Sequence, residues 1–416
     1  MKLLNKTFLC TLLLSVGAHA GDLKAPFSFP TAKVLPAGVR NISFKALLAQ
    51  ATEKFDGQGE MIQLGQPLNG DITFKKVYDS KRSSFEKAGI LNIMHRLGKN
   101  LDDSFGYSTG EVNVSATARV PVFAYGLNEK MTLAIAIPVM ESNMKVKTGV
   151  VHENTELHRD MIQSLNDSGL PSKVVELYEK LSRPVAAKLY DYGYDQLENK
   201  NNDEVGDIKV ISKYNHYKSD NLQVTSTTDI TLPTGRDQDI NKIVDVASGD
   251  DQTDLGIGVA ADYKVGEYLT LSSAVAHTVQ LADKNPERIP EVSYSKASPD
   301  VDSETERDLG NISQFQLAGV FNYKGLNLGA GYSFQYKEQD SYNGTKFSRE
   351  RYSWLEQDTE QVMHALQLTA GVDTFYFFKK KVFPAPLKLL VSYTNVFAGE
   401  NVVSDPLVSV DFNLYF

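Results

Sequence analysis

The sequence predicts an all-β protein, a transmembrane antiparallel up-and-down β-barrel of about 12 strands, an even number as in single-chain outer-membrane barrels. Three observations predict it. Period-two runs are long enough to cross a bilayer. The connections between them alternate between short and long. The chain closes on an alternating strand with a terminal aromatic residue, Phe416.

The stretch Glu111–Val139 shows the first observation most clearly. From Val112 to Ala124 each even position is apolar or small, while Asn113, Ser115, Thr117 and Arg119 fill odd ones. After the turn Gly126-Leu127-Asn128-Glu129 the odd positions take over as Met131, Leu133, Ile135, Ile137 and Val139. A period of two assigns one set to each face of a sheet. Each run exceeds the usual strand of about 5–6 residues and matches the roughly 9–11 that a tilted strand needs to span a membrane.

The ends of the chain fit export. Lys2 and Lys6 precede the short apolar core Phe8–Val16, and Ala18-His19-Ala20 reads as a small-x-small cleavage site. Residues 1–20 are thus expected to be a signal peptide, too short in its apolar run to span a membrane as a helix. Cys10 is the one cysteine and lies inside that leader, so disulfides and thiol chemistry are excluded from the mature chain. The net charge is -9, and loss of Lys2 and Lys6 with the leader takes it to -11. A basic nucleic-acid footprint is absent. Bulk hydropathy need not be high in a barrel, where only alternate residues meet lipid.

Residues 21–38 carry Pro26, Pro30 and Pro36 and read as a periplasmic arm or small plug; residues 39–416 form the barrel. Val39–Leu48 is the first strand, with Ile42, Phe44, Ala46 and Leu48 on one face and Asn41, Ser43 and Lys45 on the other. A long insertion at about 49–109 includes helical spacing over 80–97. A second, at about 148–205, includes two amphipathic stretches within 155–192. Strands are then expected at Asp207–Tyr217, Leu222–Pro233, Asp254–Val265, Tyr268–Leu281, Gln314–Tyr323, Leu326–Lys337, Val362–Phe378, Leu387–Phe397 and Leu407–Phe416. Polar loops fill about 234–253, 282–310 and 338–359. Short connections follow the even-numbered strands and long ones the first, third, fifth, seventh and ninth, the eleventh (Ala398–Asp405) being intermediate. Short periplasmic turns and long extracellular loops are what a barrel with both termini in the periplasm displays.

Aromatic residues cluster at strand ends, Phe123, Tyr125, Tyr263 and Tyr323 on the short-turn side and Tyr332, Phe334 and Phe397 on the other, as two interfacial belts require. In the last strand Val408, Val410, Phe412, Leu414 and Phe416 share one face. An alternating last strand with terminal Phe resembles the signal by which outer-membrane proteins engage their assembly machinery, which implies Phe412, Leu414 and Phe416 as that signal. Outer-membrane lipid and lipopolysaccharide are the other expected partners.

By alternation the inward faces carry Lys45, Asn113, Arg119, Lys209, Lys213, Asp229, Asp262, Asp373, Lys388 and Asp411. Such charges either line a water-filled pore or pair with one another in a filled interior. Pro121 and Pro138 fall inside the hairpin, and proline cannot donate to a ladder. Pro138 is therefore a candidate wall opening, or else a local bulge. Ser273 and His277, four apart on an outward face, are the spacing a lipid-facing nucleophile and base would need; with no orienting third residue, no enzyme is expected. The aspartates and glutamates between Asp237 and Asp251 and between Asp300 and Glu306 lack EF-hand spacing and read as solvated loops. No cofactor or metal is expected.

Tyr125-Gly126-Leu127-Asn128-Glu129-Lys130-Met131-Thr132-Leu133, ending Ile137-Pro138-Val139, resembles a hairpin of the outer-membrane transporter family of the meta-pathway of phenol degradation, itself distantly similar to long-chain fatty-acid transporters. Gly206-Asp207-Ile208-Lys209, Ile230-Thr231-Leu232-Pro233-Thr234-Gly235 and Leu255-Gly256-Ile257-Gly258 are similar to its later strands. The resemblance implies uptake of small hydrophobic molecules, with lateral escape through a kinked wall. A structural or surface-interaction barrel, whose loops matter more than its lumen, is the alternative expectation.

Overall fold

The structure is a computed structural model and describes residues 31–66, 69–79, 84–96, 98–151, 189–190, 192–195, 200–242, 245–293 and 297–416. The expected leader and most of the expected helical stretch 155–192 lie outside them. The contact pattern divides the chain into two units, one of Met1–Leu64, Asn113–Met144 and Asn199–Phe416, the other of Gly65–Val112 and Lys145–Glu198.

The first unit holds a closed barrel of twelve antiparallel strands. In order along the whole chain, the strands of the described residues are β1 (Arg40–Ala51), the short pair β2 (Glu53–Phe55) and β3 (Met61–Gln63), β4 (Gly70–Thr73), β5 (Ser104–Asn128), β6 (Met131–Ala136), β7 (Val139–Val151), β8 (Lys200–Val205), β9 (Ile208–Lys218) and β10 (Leu222–Leu232). They continue as β11 (Asp254–Val265), β12 (Leu269–Gln280), β13 (Asp283–Arg288), β14 (Val301–Asp308), β15 (Ile312–Tyr323), β16 (Leu326–Lys337), β17 (Ser341–Asn343), β18 (Gln361–Asp373), β19 (Leu387–Glu400) and β20 (Leu407–Tyr415). Around the wall the order is β1-β20-β19-β18-β16-β15-β12-β11-β10-β9-β6-β5. β1 closes the ring by pairing with both β20 and β5. Closure leaves no open edge, the condition for strands to cross lipid.

Local sequence explains the turns. Lys324 and Gly325 both have positive φ, 47° and 92°, the requirement of a two-residue type I′ hairpin. A side chain at 325 would also strike the Asp373 carbonyl, 2.4 Å from an ideal Cβ. The expected strand Val362–Phe378 stops earlier, because the ladder ends at Asp373↔Lys388 and Phe375–Lys379 turns into a short helix. Thr374 drives the change: its Oγ1 accepts from Leu387 N (2.8 Å) and donates to the Ala385 carbonyl (2.7 Å), in place of another ladder rung.

Outward positions are apolar and exposed, among them Phe44, Leu271, Val275, Leu317, Leu368 and Val391. Such a continuous apolar surface is foreign to a soluble monomer and fits lipid. Above the long-loop rim, β13, β14 and β17 form a separate three-stranded sheet. Its core is Ile289, Leu309, Tyr342 and Tyr352, with Leu355 of the helix Arg349–Glu356. In the second unit, β4 pairs with the Ser104–Ser108 end of β5, and the helices Phe74–Asp79 and Ser84–Arg96 follow it, Phe74 and Ile90 being buried. The expected helix at 80–97 thus appears as Ser84–Arg96. The expected loop 148–205 begins and ends as strand instead, through β7 and β8.

Candidate functional site

β1 sets the lumen's chemistry. Asn41, Ser43 and Lys45 point inward and Phe44 and Leu48 outward, and each register partner on β20 repeats the choice: Lys45 lies opposite Asp411, Phe44 opposite Phe412. Lys45 Nζ is 3.8 Å from Asp411 Oδ1, with both side chains largely buried. Higher in the lumen Lys209 Nζ meets Asp229 Oδ2 at 2.9 Å. Asp262 accepts from Ser272 Oγ (2.8 Å), and Asp373 from Asn327 Nδ2 (2.8 Å). Lys388 lines the same interior, beside Leu390 and Ser392. Lys45, Lys209, Lys213, Asp229, Asp262, Asp373, Lys388 and Asp411 therefore all take inward places.

Asn113 and Arg119 do not. The register pairs Arg119 with Ala46 and Phe123 with Ile42, which places the odd residues of β5 on the outward face. Val114 and Ala118 are the buried, inward ones. Arg119 instead meets Glu141 of β7 at 2.9 Å, and both side chains are more than half exposed. Alternation gave two faces, but apolar character marked the wrong one as lipid-facing, because here the small apolar side packs inward.

The interior is crossed by the chain's own N-terminal segment. Leu35 N donates to Thr132 Oγ1 (2.8 Å), Lys213 Nζ to the Thr31 carbonyl (2.5 Å) and Thr225 Oγ1 to the Ala32 carbonyl. Ala32 is wholly buried against Ala260 and Ala274. At the short-turn rim Gly38 N donates to the Gly126 carbonyl and Gly126 N to the Val39 carbonyl. Glycine is needed at 126, since a Cβ there would sit 1.9 Å from the Pro36 carbonyl oxygen. Between this segment and the short-turn rim lies a cavity of about 1200 Å³, reaching Lys379, Pro384 and Phe416.

Strand assignment breaks beside Pro138, although Ile137 N still donates to the Pro121 carbonyl (3.1 Å). β6 ends at Ala136 and β7 starts at Val139; the neighbouring strand breaks at the same level, between Val205 of β8 and Ile208 of β9. Gly206 N donates to the Pro138 carbonyl (2.8 Å), so pairing resumes after the break. Asp207 and Thr234 stabilise it. The Asp207 carboxylate accepts from Thr234 N (3.0 Å) and Gly235 N (2.8 Å), while Ile208 N donates to Thr234 Oγ1. Composition alone did not identify Asp207, Thr234 or Gly126 as site residues. The glycine of the hairpin turn and the Asp207 and Thr234-Gly235 motifs were the available signals.

Ser273 and His277 share the outward face, but His277 Nδ1 hydrogen-bonds Ser313 Oγ (3.0 Å). The acidic loops are not simply solvated. Asp245 is buried against Arg236, and Arg351 meets Asp300 at 2.8 Å. Arg307 is held by Asp283 (2.6 Å) and Asp237 (2.9 Å), with Glu287 at 3.6 Å. Burial alone would depress the Arg307 guanidinium, but these carboxylates outweigh it and raise it. Burial pushes the Asp237 carboxyl up, with Arg307 and the Gln238 N–H opposing and Asp283 and Asp251 adding to the rise. Arg307 reaches Asp237 and Arg351 reaches Asp300 from other loops, which is why sequence spacing could not pair them. Among the described residues no cluster of His, Cys, Asp and Glu is arranged to hold a metal ion.

No protein-family model matches the sequence, and no curated protein does. Solved structures match its fold. The COG4313 outer membrane channel from Pseudomonas putida F1 is 11% identical and superposes with a TM-score of 0.53 over 92% of this chain and 98% of that one. The P. putida toluene transporter TodX gives 10% identity and a TM-score of 0.35 over 94% and 93%. A KdgM porin gives 8% and 0.31 over 74% and 99%. The first of these shares the antiparallel β-barrel fold of this chain.

Proposed function

We propose that the protein is a channel of the bacterial outer membrane that admits small, largely apolar molecules, and that its N-terminal segment sits in the conduction path. The observation that carries this is the 1200 Å³ cavity enclosed by the barrel and bounded by Thr31–Pro36. A barrel with a purely structural role needs no such space, and small barrels fill theirs with side chains. The apolar outward face and the short-turn side bearing both Arg40 and Phe416 support insertion with the termini in the periplasm. Conductance in planar bilayers and uptake into proteoliposomes test the reading; absence of both overturns it.

The shared break at Pro138 and Gly206 supports a lateral route for apolar cargo, in keeping with the motif resemblance of these two segments. Val139 and Val205 are register partners immediately beyond it. A disulfide between Val139→Cys and Val205→Cys is within the ordinary Cα span of about 4.4–6.8 Å, and the mature chain has no competing cysteine. Oxidation is expected to cut uptake of an apolar tracer such as toluene about tenfold while leaving ion conductance intact, if wall separation at this level is part of the path. Unchanged toluene uptake in the cross-linked protein would remove the lateral route and leave an axial one.

A further inference from the structure

We propose that the lumenal cavity is a binding site for small organic carboxylates, an anionic head on a compact apolar body. The inference rests on the channel reading of that cavity and names its preferred cargo. Four lysines line the cavity, Lys33, Lys45, Lys379 and Lys388, against the two carboxylates Asp262 and Asp411. That excess of positive charge is opposite in sign to the whole chain, which carries -9. A local field of one sign inside low-dielectric walls concentrates counter-ions of the other.

Lys45 gives the site a specific anchor. It is 9% exposed, lines the cavity, and its Nζ has no hydrogen-bond partner among the described residues. Its ion contact with Asp411 is long, at 3.8 Å. A buried ammonium with donors unspent favours an incoming acceptor, because an unmade hydrogen bond to a charged group is costly. Asp262 accepts from Ser272 Oγ (2.8 Å), which occupies one of its acceptor positions, and the lysines still outnumber the two carboxylates. Lys388 shares the cavity lining with Lys33 and Lys45, and Asp373 is its register partner on β18.

The remainder of the lining selects the body. Leu35, Val122, Leu390 and Phe375 contribute apolar surface to the same cavity. The volume, about 1200 Å³, exceeds what a drug-sized ligand needs, roughly 300–1,000 Å³. Lysine, a point charge without arginine's planar fork, suits a monoanion whose orientation is set by its apolar part.

The test compares benzoate, benzamide and benzylammonium, which share a ring and differ in charge, by calorimetry on the full-length detergent-solubilised protein. Benzoate is expected to bind at least tenfold tighter than benzamide, with benzylammonium weaker still. Lys388→Gln and Lys45→Gln should each weaken benzoate about tenfold, the order set by losing one buried charged hydrogen bond. Asp411→Asn should tighten it, because it releases Lys45 from its competing carboxylate; this gain cannot come from misfolding. Equal affinity for benzoate and benzamide, or no tightening in Asp411→Asn, overturns the proposal. Bilayer currents recorded in parallel separate the two readings. Benzoate binding without conductance keeps the site and sinks the channel, and conductance without charge discrimination does the reverse.

Discussion

Deleting residues 21–36, with the leader and β1 retained, should raise the unitary conductance of the reconstituted protein on the order of tenfold, since current follows the free cross-section of the lumen. Among its described residues, 31–36, Thr132, Lys213 and Thr225 supply hydrogen bonds to the wall, and Ala32 packs on Ala260 and Ala274. None of these contacts forms part of the barrel ladder. The barrel should therefore keep its heat-modifiable electrophoretic mobility, which controls for misfolding. Gly126→Val approaches the same question without shortening the chain. Its Cβ would fall 1.9 Å from the Pro36 carbonyl oxygen, so the segment must leave its seat at the rim. An intermediate, noisy conductance is expected there. Wild-type currents in both variants would show that Thr31–Pro36 does not limit permeation.

Arg307→Ala should loosen the separate three-stranded sheet of β13, β14 and β17 while leaving the barrel folded. Arg307 is 5% exposed and joins Asp237 to Asp283 and Glu287 of β13. Removing the Arg307 guanidinium takes from Asp237 and Asp283 the cation that holds them, at a cost of about 3 kcal/mol or more. Hydrogen exchange over β13 and β14 should therefore rise about a hundredfold, the equivalent of that free energy. The pH dependence has a defined sign. Asp237 already has its folded pKa above the ordinary 3.8, and losing the guanidinium raises it further. A carboxyl with a raised folded pKa contributes stability that is complete below its unfolded pKa and lost as pH rises through the folded one. Protection in the variant should thus recover at about pH 4 relative to about pH 7. Asp237→Asn combined with Asp283→Asn should restore part of it at neutral pH. Unaltered exchange in Arg307→Ala would mean that the apolar core around Tyr352 holds the sheet by itself.

The inward and outward faces were legible wherever a strand's polar side was also its lumenal side. Lys45 and Asp411 face each other as their alternation predicts, as do Lys209 and Asp229 in neighbouring strands. β5 is where this failed. Its two faces carry small apolar residues and polar ones, and which side looks inward depends on its pairing with β1, through Ala46↔Arg119 and Leu47↔Ala118. Pro138 was visible as a ladder breaker. That Gly206 and Asp207 interrupt the adjacent strand at the same level was not, since the two stretches are far apart in sequence and only the register brings them together. The acidic loops were misread for the same reason: charge density is local, but Arg307 and Arg351 arrive from other loops.

Sequence by itself determined that this chain is a membrane barrel of about twelve strands. Strand period, strand length and the short–long alternation of connections are local properties, set by backbone geometry and by the thickness of the bilayer. Tertiary structure alone decided what occupies the lumen. The N-terminal segment has little periodic pattern of its own, and its position follows from hydrogen bonds to Thr132, Lys213 and Thr225, which closure of the ring brings to one place. The cavity beneath it, with its excess of lysines over carboxylates, exists only because β1, β19 and β20 stand side by side around that segment.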